Sequence, residues 1–499
     1  MISTAKTRVL VVDLNNFARY PTLSVGYLVS ISRRAGLAVQ VLSPLAAGIR
    51  GVAREPRATR RHLIRERINF ASAQSSSRIV RSLRSWFGER TRSPLSRQTA
   101  VVARTFEEEL ERFAPDVVLV STYLMYRQLV ETLCGIARRR RVPVLVGGPY
   151  FAQPEVLREW VGIEGLSALV AGEVELELPR VVEALLEGGD PTKIDGVVMS
   201  DGMGGLRGSI AAPLATLDQV PMPDFSDFPW ERYPQRIVPV LTGRGCGWGR
   251  CTFCSDITST AGRTFRSRSP GNVLREVRHH HEMLGADLFV FTDLKLNSDL
   301  SMWHRLIEGM QDAAPGSRWI ASVHVSGRGD HGLGKGELEA AAASGCVRLT
   351  SGLESGSQRV LDRMRKGTRL ERFSEFVRSA DDVGISVRCT MIAGYPGEEV
   401  QDVRASTTFV KRHEDAIERI KLCNFSVIVG TEIHRSLVEE RTKSGTALHP
   451  KPGSAWVDFH EPRENERAYQ RAIAQLVTAV HRVNEKPLRD RALVFEGVM

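Results

Sequence analysis

Short apolar runs alternate along the chain with stretches in which apolar residues recur at helical spacing. The first half carries five such runs, which are RVLVVDL, AVQVLSP, PDVVLVSTY, VPVLVGGPY and ALVAGE. Strands that alternate with helices predict a parallel sheet covered by helices on both faces. We therefore expect an α/β fold, with a doubly wound sheet in the N-terminal half.

The second half repeats the pattern with six further apolar runs, which are RIVPVLT, DLFVFTD, RWIASVHV, VRLTSG, ISVRCTMIAG and IKLCNFSVIV. Helical spacing is predicted between them at 270–285, 300–312, 335–344, 357–382 and 399–414. Six strands with intervening helices predict a partial (β/α)6 barrel of the TIM type, which places chemistry at the carboxyl ends of its strands. The predicted units are 1–200, a linker at 201–234, the barrel at 235–435 and a small, mainly helical C-terminal region at 436–499.

Small and polar residues follow three strands of the first half. They are Ser121, Thr122, Gly147, Gly148, Gly172 and Glu173. In doubly wound sheets the loops at the carboxyl ends of the strands form the ligand crevice. These residues are therefore predicted to line a binding site, with an ordinary crevice without a bound ligand as the alternative.

Charge is concentrated rather than spread. The chain of 499 residues has a net charge of +10, and the segment 49–99 alone holds thirteen arginines against three acids. We interpret it as solvated helices or a partly mobile insertion, with phosphate binding as the alternative. The apolar runs are too short for a membrane helix and the N-terminus does not fit a signal peptide, which predicts a cytoplasmic protein without a membrane partner.

The segment LTGRGCGWGRCTFCSD carries the candidate chemistry, because it presents Cys246, Cys251 and Cys254 within nine residues directly after the first barrel strand. Three thiolates on a 4Fe–4S cluster leave one iron open for a substrate group. A structural zinc ion would need a fourth ligand at short spacing, and none follows Cys254 closely. A zinc-dependent nucleic-acid-binding protein is the alternative from a different class, and it predicts one zinc and no iron.

This loop resembles the signature of the radical S-adenosylmethionine (SAM) superfamily, whose usual spacing is C-x3-C-x2-C. Four residues, Gly247 to Arg250, separate the first two cysteines here, so the first turn is one residue longer. The resemblance continues through FRSRSPGNVLREV, FVFTDLKLN, GLESGSQRVLDRMRKG and MIAGYPGEE. It implies a 4Fe–4S cluster held by the three cysteines, with SAM on the open iron.

The resemblance also implies which other residues contact SAM. Phe253 would lie near the adenine, and Thr292 and Asp293 would contact the methionyl amino group. Glu354 would bind the ribose hydroxyls or the ammonium, with a helix cap as its alternative role. Arg388 would pair with the carboxylate of SAM, and Gly394 would shape a turn near the adenine. The sequence identifies no catalytic acid or base.

The N-terminal half resembles the Rossmann-like cobalamin-binding domain that precedes the barrel in the cobalamin-dependent, class B, radical SAM enzymes. The loop after the first strand is DLNNFAR and lacks the histidine of a D-x-H-x-x-G motif, so cobalt would lack that ligand. The nucleotide tail would then lie against Ser121, Thr122, Gly147 and Gly148. Small residues permit the close backbone approach that such a tail requires.

The resemblance implies a methyltransferase that acts on a natural-product or peptide precursor. A cobalamin-dependent cyclisation, rearrangement or oxidation without methyl transfer is the alternative. The implied partners are a small-molecule or peptide substrate and an external electron donor such as flavodoxin or ferredoxin. Nucleic acid is not expected as a partner, because enzymes that methylthiolate transfer RNA carry a second cysteine trio and only Cys134 precedes Cys246 here.

Overall fold

The computed structural model describes residues 6–51, 58–73, 75, 77, 79–80, 83, 98–255, 265–440, 447–450, 455–461 and 466–498. Much of the arginine-rich segment predicted at 49–99 therefore lies outside the described residues. Its described part includes one helix, at Arg60–Ala73. In the described part of the chain, no helix combines the length and the apolar character needed to cross a membrane.

The N-terminal half contains a seven-stranded sheet in the order β2-β1-β3-β4-β5-β6-β7. Its strands are β1 Arg8–Asp13, β2 Ala38–Leu42, β3 Val117–Ser121, β4 Val144–Gly147, β5 Ala168–Val170, β6 Val197–Ser200 and β7 Leu206–Gly208. Its helices are α1 Leu23–Arg34, α2 Arg60–Ala73, α3 Thr99–Phe113, α4 Arg127–Arg139, α5 Pro154–Trp160 and α6 Leu178–Leu186. The first five strands are parallel, as predicted, and β3 is buried along its whole length.

The two remaining strands are antiparallel, which the sequence pattern did not predict. β6 and β7 form a hairpin at the sheet edge, and β7 lies inside the segment 201–234 that reads as a linker. The strands are short, and two of the three residues of β7 are arginine and glycine, so they lack the apolar run that marks the central strands.

The second half is built on a six-stranded parallel sheet in the order β15-β14-β13-β12-β11-β8. Its strands are β8 Ile237–Val240, β11 Leu288–Phe291, β12 Arg318–Val323, β13 Cys346–Glu354, β14 Ser386–Ala393 and β15 Ile417–Asn424. A separate antiparallel pair, β9 Gly243–Arg244 and β10 Arg266–Ser267, lies between β8 and β11 in chain order. In the described part of the chain, the edge strands β8 and β15 do not pair with each other, so the sheet is open. Its curvature into a barrel stays a prediction.

Helices cover one face of this sheet. They are α7 Pro270–Leu284, α8 Leu300–Ala313, α9 Lys335–Ala343, α10 Gln358–Arg363, α11 Leu370–Asp382 and α12 Val400–Arg412. The single helical stretch predicted at 357–382 is wrong, because α10 and α11 are separated by a turn. Arg365 and Gly367 both have positive φ there, at 49° and 71°, which a helix cannot accommodate.

The C-terminal region contains more than the predicted helices. Its elements are β16 Val427–Ile428, α13 Glu432–Glu440, β17 Ala447–Pro450, β18 Trp456–His460, α14 Glu466–Glu485 and α15 Asp490–Leu493. The three strands form a small antiparallel sheet. The region is therefore mixed, although helix predominates.

The opposite face of the six-stranded sheet receives residues from both ends of the chain. Ile237, Val290 and Ile320 pack there with Phe17 and Tyr20, which follow β1, and with Phe495 and Val498 from the C-terminus. The loop after β1 therefore lies between the two halves. The ligand crevice of the first sheet, at the switch point between β1 and β3, faces this junction.

Candidate functional site

The cysteine loop begins at the carboxyl end of β8 and is anchored by Asp293. The buried carboxylate of Asp293 accepts hydrogen bonds from the backbone N–H and hydroxyl of Thr242, at 3.1 and 2.7 Å, and from the N–H of Gly243 at 2.8 Å. Burial raises the pKa of Asp293 to about 6, although these hydrogen bonds oppose the shift. Asp293 therefore fixes the start of the cysteine loop, and its predicted contact with the SAM amino group stays a prediction.

Cys246, Cys251 and Cys254 are half-buried in this loop. Burial raises the pKa of the Cys251 thiol, the positive charge of Lys366 opposes that shift, and Cys246 reinforces it. In the described residues, no three cysteine, histidine or acidic side chains converge on a single metal ion.

A buried ion pair lies beside the cysteines. Lys366 Nζ donates to Glu354 Oε1 at 3.0 Å, and both side chains are more than nine-tenths buried. Burial lowers the pKa of Lys366, but Glu354 and the Cys251 thiol outweigh it and the net shift is upward. Glu354 has a φ of 61°, a strained value for a residue with a side chain, and such strain concentrates at functional sites.

Sequence reasoning identified Glu354 but missed Lys366. The turn between α10 and α11 directs the lysine inward, and its neighbour Gly367 packs under the ring of Trp248. The segment RMRKG lies in a motif that resembles the superfamily, so the motif pointed to the region. The periodicity concealed the role of this lysine, because it predicted one continuous helix.

Three further residues of the site were not predicted. Trp248 of the cysteine loop stacks on His324, with ring centroids 5.5 Å apart, and its indole N–H donates to the carbonyl of Arg365 at 2.8 Å. His324 is buried and, in the described part of the chain, its Nε2 has no hydrogen-bond partner. Burial and Lys366 lower the pKa of Lys295 to about 8. Lys295 and Lys366 thus give the site two cationic side chains.

The predicted adenine-side residues lie in a neighbouring apolar cluster. Phe253 packs with Val360, Met364 and Tyr395. The ring of Tyr395 is edge-on to Phe253, and its hydroxyl shares a 2.7 Å hydrogen bond with Thr252. Gly394 has a φ of 88° and donates its N–H to Glu398 at 2.7 Å, which confirms the predicted turn.

Thr292 and Arg388 have other partners than those predicted. The hydroxyl and N–H of Thr292 donate to the carbonyl of Val240, which ties the ends of β11 and β8 together. Arg388 lies five residues before the end of β14. Its guanidinium donates to the carbonyl of Val498 at 2.9 Å and lies 3.9 Å from Glu418. Arg388 is therefore engaged with the C-terminal residues, and its predicted pairing with the carboxylate of SAM stays a prediction.

Ser121, Thr122, Gly147 and Gly148 lie at the carboxyl ends of β3 and β4, and their predicted contact with a ligand stays a prediction. Ser121 hydroxyl contacts that of Ser24 at 2.8 Å, and Thr122 N–H donates to the carbonyl of Gly147 at 3.0 Å. A Cβ on Gly148 would lie 2.1 Å from the carbonyl oxygen of Thr122. The packing of the two loops alone therefore requires Gly148.

Glu173 joins the two halves, and it does not line the crevice as a free ligand. Its carboxylate pairs with Arg266 at 2.7 Å and with Arg244 at 3.0 Å, and burial opposes the resulting downward shift of its pKa. Gly172 has a φ of 97°, and a Cβ there would lie 2.6 Å from the carbonyl oxygen of Ala211. Both residues thus have a structural role, and their predicted contact with a cofactor stays a prediction.

Two asparagines of the loop after β1 were not predicted. Asn15 and Asn16 are buried, and within the described residues the Oδ1 atoms of both lack a hydrogen-bond donor. Asn16 has a φ of 43°. Buried acceptors without partners are costly, so these two atoms indicate a ligand that carries N–H or O–H groups at the crevice.

The site and the fold define a class of protein. Residues 240–410 match the Radical SAM superfamily. The chain therefore contains a radical SAM domain, which runs from the end of β8 into α12 and includes the three cysteines. A radical SAM domain implies a 4Fe–4S cluster and SAM, which favours the cluster over the zinc alternative.

The curated relatives include several methyltransferases. An uncharacterized methyltransferase of Pyrococcus horikoshii is 28% identical over 317 residues, which cover 61% of this chain and 65% of that protein. Bacteriochlorophyllide d C-12(1)-methyltransferase of Chlorobaculum tepidum is 26% identical over 320 residues, or 63% of each chain. The matched part of the chain thus spans less than two-thirds of these relatives.

Two solved enzymes share the fold over nearly the whole chain. The radical SAM methyltransferase TsrM from Kitasatospora setae has a TM-score of 0.69 at 18% identity, covering 95% of this chain and 89% of its own. The cobalamin-dependent SAM radical enzyme OxsB has a TM-score of 0.67 at 16% identity, covering 92% of this chain and 65% of its own. The chain therefore has the fold of these enzymes, with an α/β domain ahead of the radical SAM domain.

Proposed function

We propose that the chain is a cobalamin-dependent radical SAM methyltransferase acting on a small-molecule or peptide precursor. One observation carries this proposal: three half-buried cysteines at the carboxyl end of β8 lie beside a buried Lys366–Glu354 pair, inside a segment that matches the Radical SAM superfamily. The methyltransferase names of the relatives support the reaction class.

The residues present fit a cluster and SAM. The thiolates of Cys246, Cys251 and Cys254 would hold the cluster and leave one iron open. The ammonium groups of Lys366 and Lys295 would compensate the negative charge of the thiolates and of the SAM carboxylate. Glu354 would accept hydrogen bonds from the amino group or the ribose of SAM. Phe253 and Tyr395 supply an apolar wall on the adenine side.

The junction between the two halves fits cobalamin. TsrM and OxsB were both solved with cobalamin bound. In this chain the buried Oδ1 atoms of Asn15 and Asn16 would accept hydrogen bonds from the amide groups of the corrin side chains. Ser121, Thr122 and Gly147 would contact the nucleotide tail. The loop after β1 offers no histidine to cobalt.

The cofactors, when bound, supply reductive cleavage of SAM, hydrogen abstraction from the substrate and the methyl group that is transferred. The chain's own residues bind, orient and exclude water. Asp293 fixes the start of the cysteine loop, Lys366 holds Glu354, and Trp248 covers His324. The reducing electrons would come from an external donor protein such as flavodoxin or ferredoxin.

The reaction can be tested without knowing the substrate. Anaerobically reconstituted protein is incubated with SAM, cobalamin and dithionite, and 5′-deoxyadenosine and S-adenosylhomocysteine are quantified. We expect both products from the native chain and no 5′-deoxyadenosine from Cys251→Ala. Formation of 5′-deoxyadenosine without S-adenosylhomocysteine would favour the alternative, a radical reaction without methyl transfer. Absence of both products would contradict the proposal.

A further inference from the structure

The helix α2, which belongs to the arginine-rich segment, packs against the second half of the chain. Phe70 of α2 is 1% exposed and packs in the main core. Arg67 donates to the hydroxyl of Thr478 on α14 at 2.7 Å. The helix α2 thus packs against α14, although α2 belongs by sequence to the N-terminal half.

A cavity of about 720 Å³ lies between α2, α14, the C-terminal residues and the strands β13, β14 and β15. Leu63 and Glu66 of α2, Thr390 of β14, Lys421 of β15 and His481 of α14 all line it. This volume suits a small molecule of drug size.

The cavity reaches the candidate reaction site. The hydroxyl of Thr390 lies 3.5 Å from both carboxylate oxygens of Glu354, which pairs with Lys366 beside the cysteines. Lys421 is the register partner of Thr390 on the neighbouring strand. Glu66 and Glu354 both act electrostatically on the thiol of Cys423, near the end of β15. Lys421 therefore lies at the end of the cavity nearest the cysteine loop, and Glu66 lines the cavity from α2.

The charges of the lining are distributed unevenly between its walls. The charged residues contributed by the strands are all cations: Arg388, Arg419 and Lys421. All four acids come from α2, α14 and the C-terminal residues, which also contribute the cations Arg65 and Lys486; the acids are Glu66, Glu485, Asp490 and Glu496. A wholly apolar occupant would strip water from these charges without replacing its hydrogen bonds, which is costly. A molecule that carries both a carboxylate and an ammonium group matches both walls.

We propose that this cavity is the substrate chamber and that its substrate is a zwitterion of the amino-acid or short-peptide class. Lys421 binds the carboxylate and Glu66 of α2 binds the ammonium group. The inference rests on the proposed function for the identity of the reaction site. It gives the arginine-rich segment a role in substrate binding, through α2.

The test uses three probes that share an indole ring and differ in charged groups: L-tryptophan, tryptamine and indole-3-propionate. Binding to reconstituted holoenzyme is measured by equilibrium dialysis with saturating SAM, so that the amino-acid position on the cluster is already filled. We expect tryptophan to bind about tenfold more tightly than either analogue, since each loses one charge-assisted hydrogen bond.

Two variants test which residue binds each charged group of tryptophan. In Lys421→Met, tryptophan should no longer bind more tightly than tryptamine, which lacks the carboxylate, but should still bind more tightly than indole-3-propionate. In Glu66→Gln, tryptophan should no longer bind more tightly than indole-3-propionate, which lacks the ammonium group, but should still bind more tightly than tryptamine. Lys411→Met, on the exposed side of α12, should bind like the native chain. Equal binding of the three probes, no saturable binding of tryptophan, or unchanged discrimination in both variants would overturn the inference. If the protein lacks an iron–sulfur spectrum, the proposed function fails instead.

Discussion

Lys366 is the residue on which the electrostatics of the site depend. Its ammonium is buried, pairs with one carboxylate and acts on the thiols of Cys251 and Cys254. A buried positive charge near a cluster stabilises the added electron, because the effective dielectric constant there is far below that of water. The charge of Lys366 should therefore raise the reduction potential of the cluster.

The variant Lys366→Met tests this role. We expect the midpoint potential of the cluster to fall by roughly 50–100 mV and SAM to bind more weakly. The potential is measured by redox titration monitored by electron paramagnetic resonance. The double variant Lys366→Met with Glu354→Gln avoids leaving Glu354 buried and unpaired, and the exposed Lys335→Met serves as the control. An unchanged potential and unchanged SAM affinity in both Lys366 variants would contradict the assignment.

Asp13 predicts a pH dependence of stability. Burial raises the pKa of Asp13 to about 6, although Thr22 and two backbone N–H groups donate to it. Between its ordinary pKa and this value, the folded chain holds a proton that the unfolded chain has lost. The free energy of unfolding should therefore fall as pH rises from about 4 to 6 and stay flat above.

Urea unfolding at several pH values checks this dependence. Relative to Asp13→Asn, the native chain should gain roughly 2–3 kcal/mol of stability between pH 7 and pH 4. Asp382→Asn, which changes an exposed acid, should show the same pH dependence as the native chain. A constant difference between Asp13→Asn and the native chain at all pH values would exclude the shift.

At the level of elements, the turn between α10 and α11 supports the cysteine loop from below. Gly367 has a φ of 71°, and a Cβ there would lie 2.1 Å from Cζ2 of Trp248. Gly384 has a similar φ of 78°, but a Cβ there would meet nothing within 4 Å. Alanine variants at Gly367 and Gly384 therefore distinguish the cost of backbone strain from the cost of steric contact with the cysteine loop.

We expect Gly384→Ala to cost about 1 kcal/mol through backbone strain alone. Gly367→Ala should cost about 1–3 kcal/mol more, because the new methyl group displaces the ring of Trp248. It should also reduce the iron content after reconstitution and shift the tryptophan fluorescence. Equal stability and equal iron content of the two variants would show that the turn does not support the loop.

The sequence predicted elements where the hydrophobic period was unbroken. The five parallel strands of the first sheet and the helices α7, α8, α9 and α12 lie where the pattern placed them. The hairpin of β6 and β7 and the small C-terminal sheet were missed, because short edge strands carry little periodic signal. The turn at Gly367 was missed because residues 357–382 keep helical spacing across it.

The residues of the site could be predicted only where a sequence motif marks them. The cysteines, Glu354 and Gly394 lie in motifs that can be seen in the linear sequence. Lys366 acts through a buried ion pair, which only the fold reveals. The same holds for His324 and Asn15, whose buried polar atoms have no partner among the described residues. The partners that Arg388 and Glu173 have in the fold could not be predicted, because the sequence does not show which charged groups lie next to them.

At the level of the whole molecule, the two halves are joined by Glu173. Its carboxylate pairs with two arginines, Arg244 and Arg266, which flank the cysteine loop on β9 and β10. The junction therefore positions the first sheet relative to the cluster site. The side chains of Glu173, Arg244 and Arg266 are each about four-fifths buried. Removal of the acid therefore leaves two largely buried arginines without this partner.

Glu173→Gln should destabilise the native chain by about 3 kcal/mol and increase proteolytic cleavage at the junction. Glu177→Gln removes an acid from an exposed pair with Arg180 and should cost less than about 1 kcal/mol. Limited proteolysis and thermal unfolding of both variants test this. Equal sensitivity of the two would show that Glu173 does not hold the halves together.

The central claim is that Cys246, Cys251 and Cys254 hold a 4Fe–4S cluster beside a cobalamin site. The most direct measurement is metal and corrinoid analysis of anaerobically reconstituted protein, compared with the variant in which all three cysteines are alanine. The native chain should contain about four irons and one cobalt, and the variant should lose the iron but keep the cobalt. One zinc without iron in the native chain, or full iron content in the variant, would contradict the account.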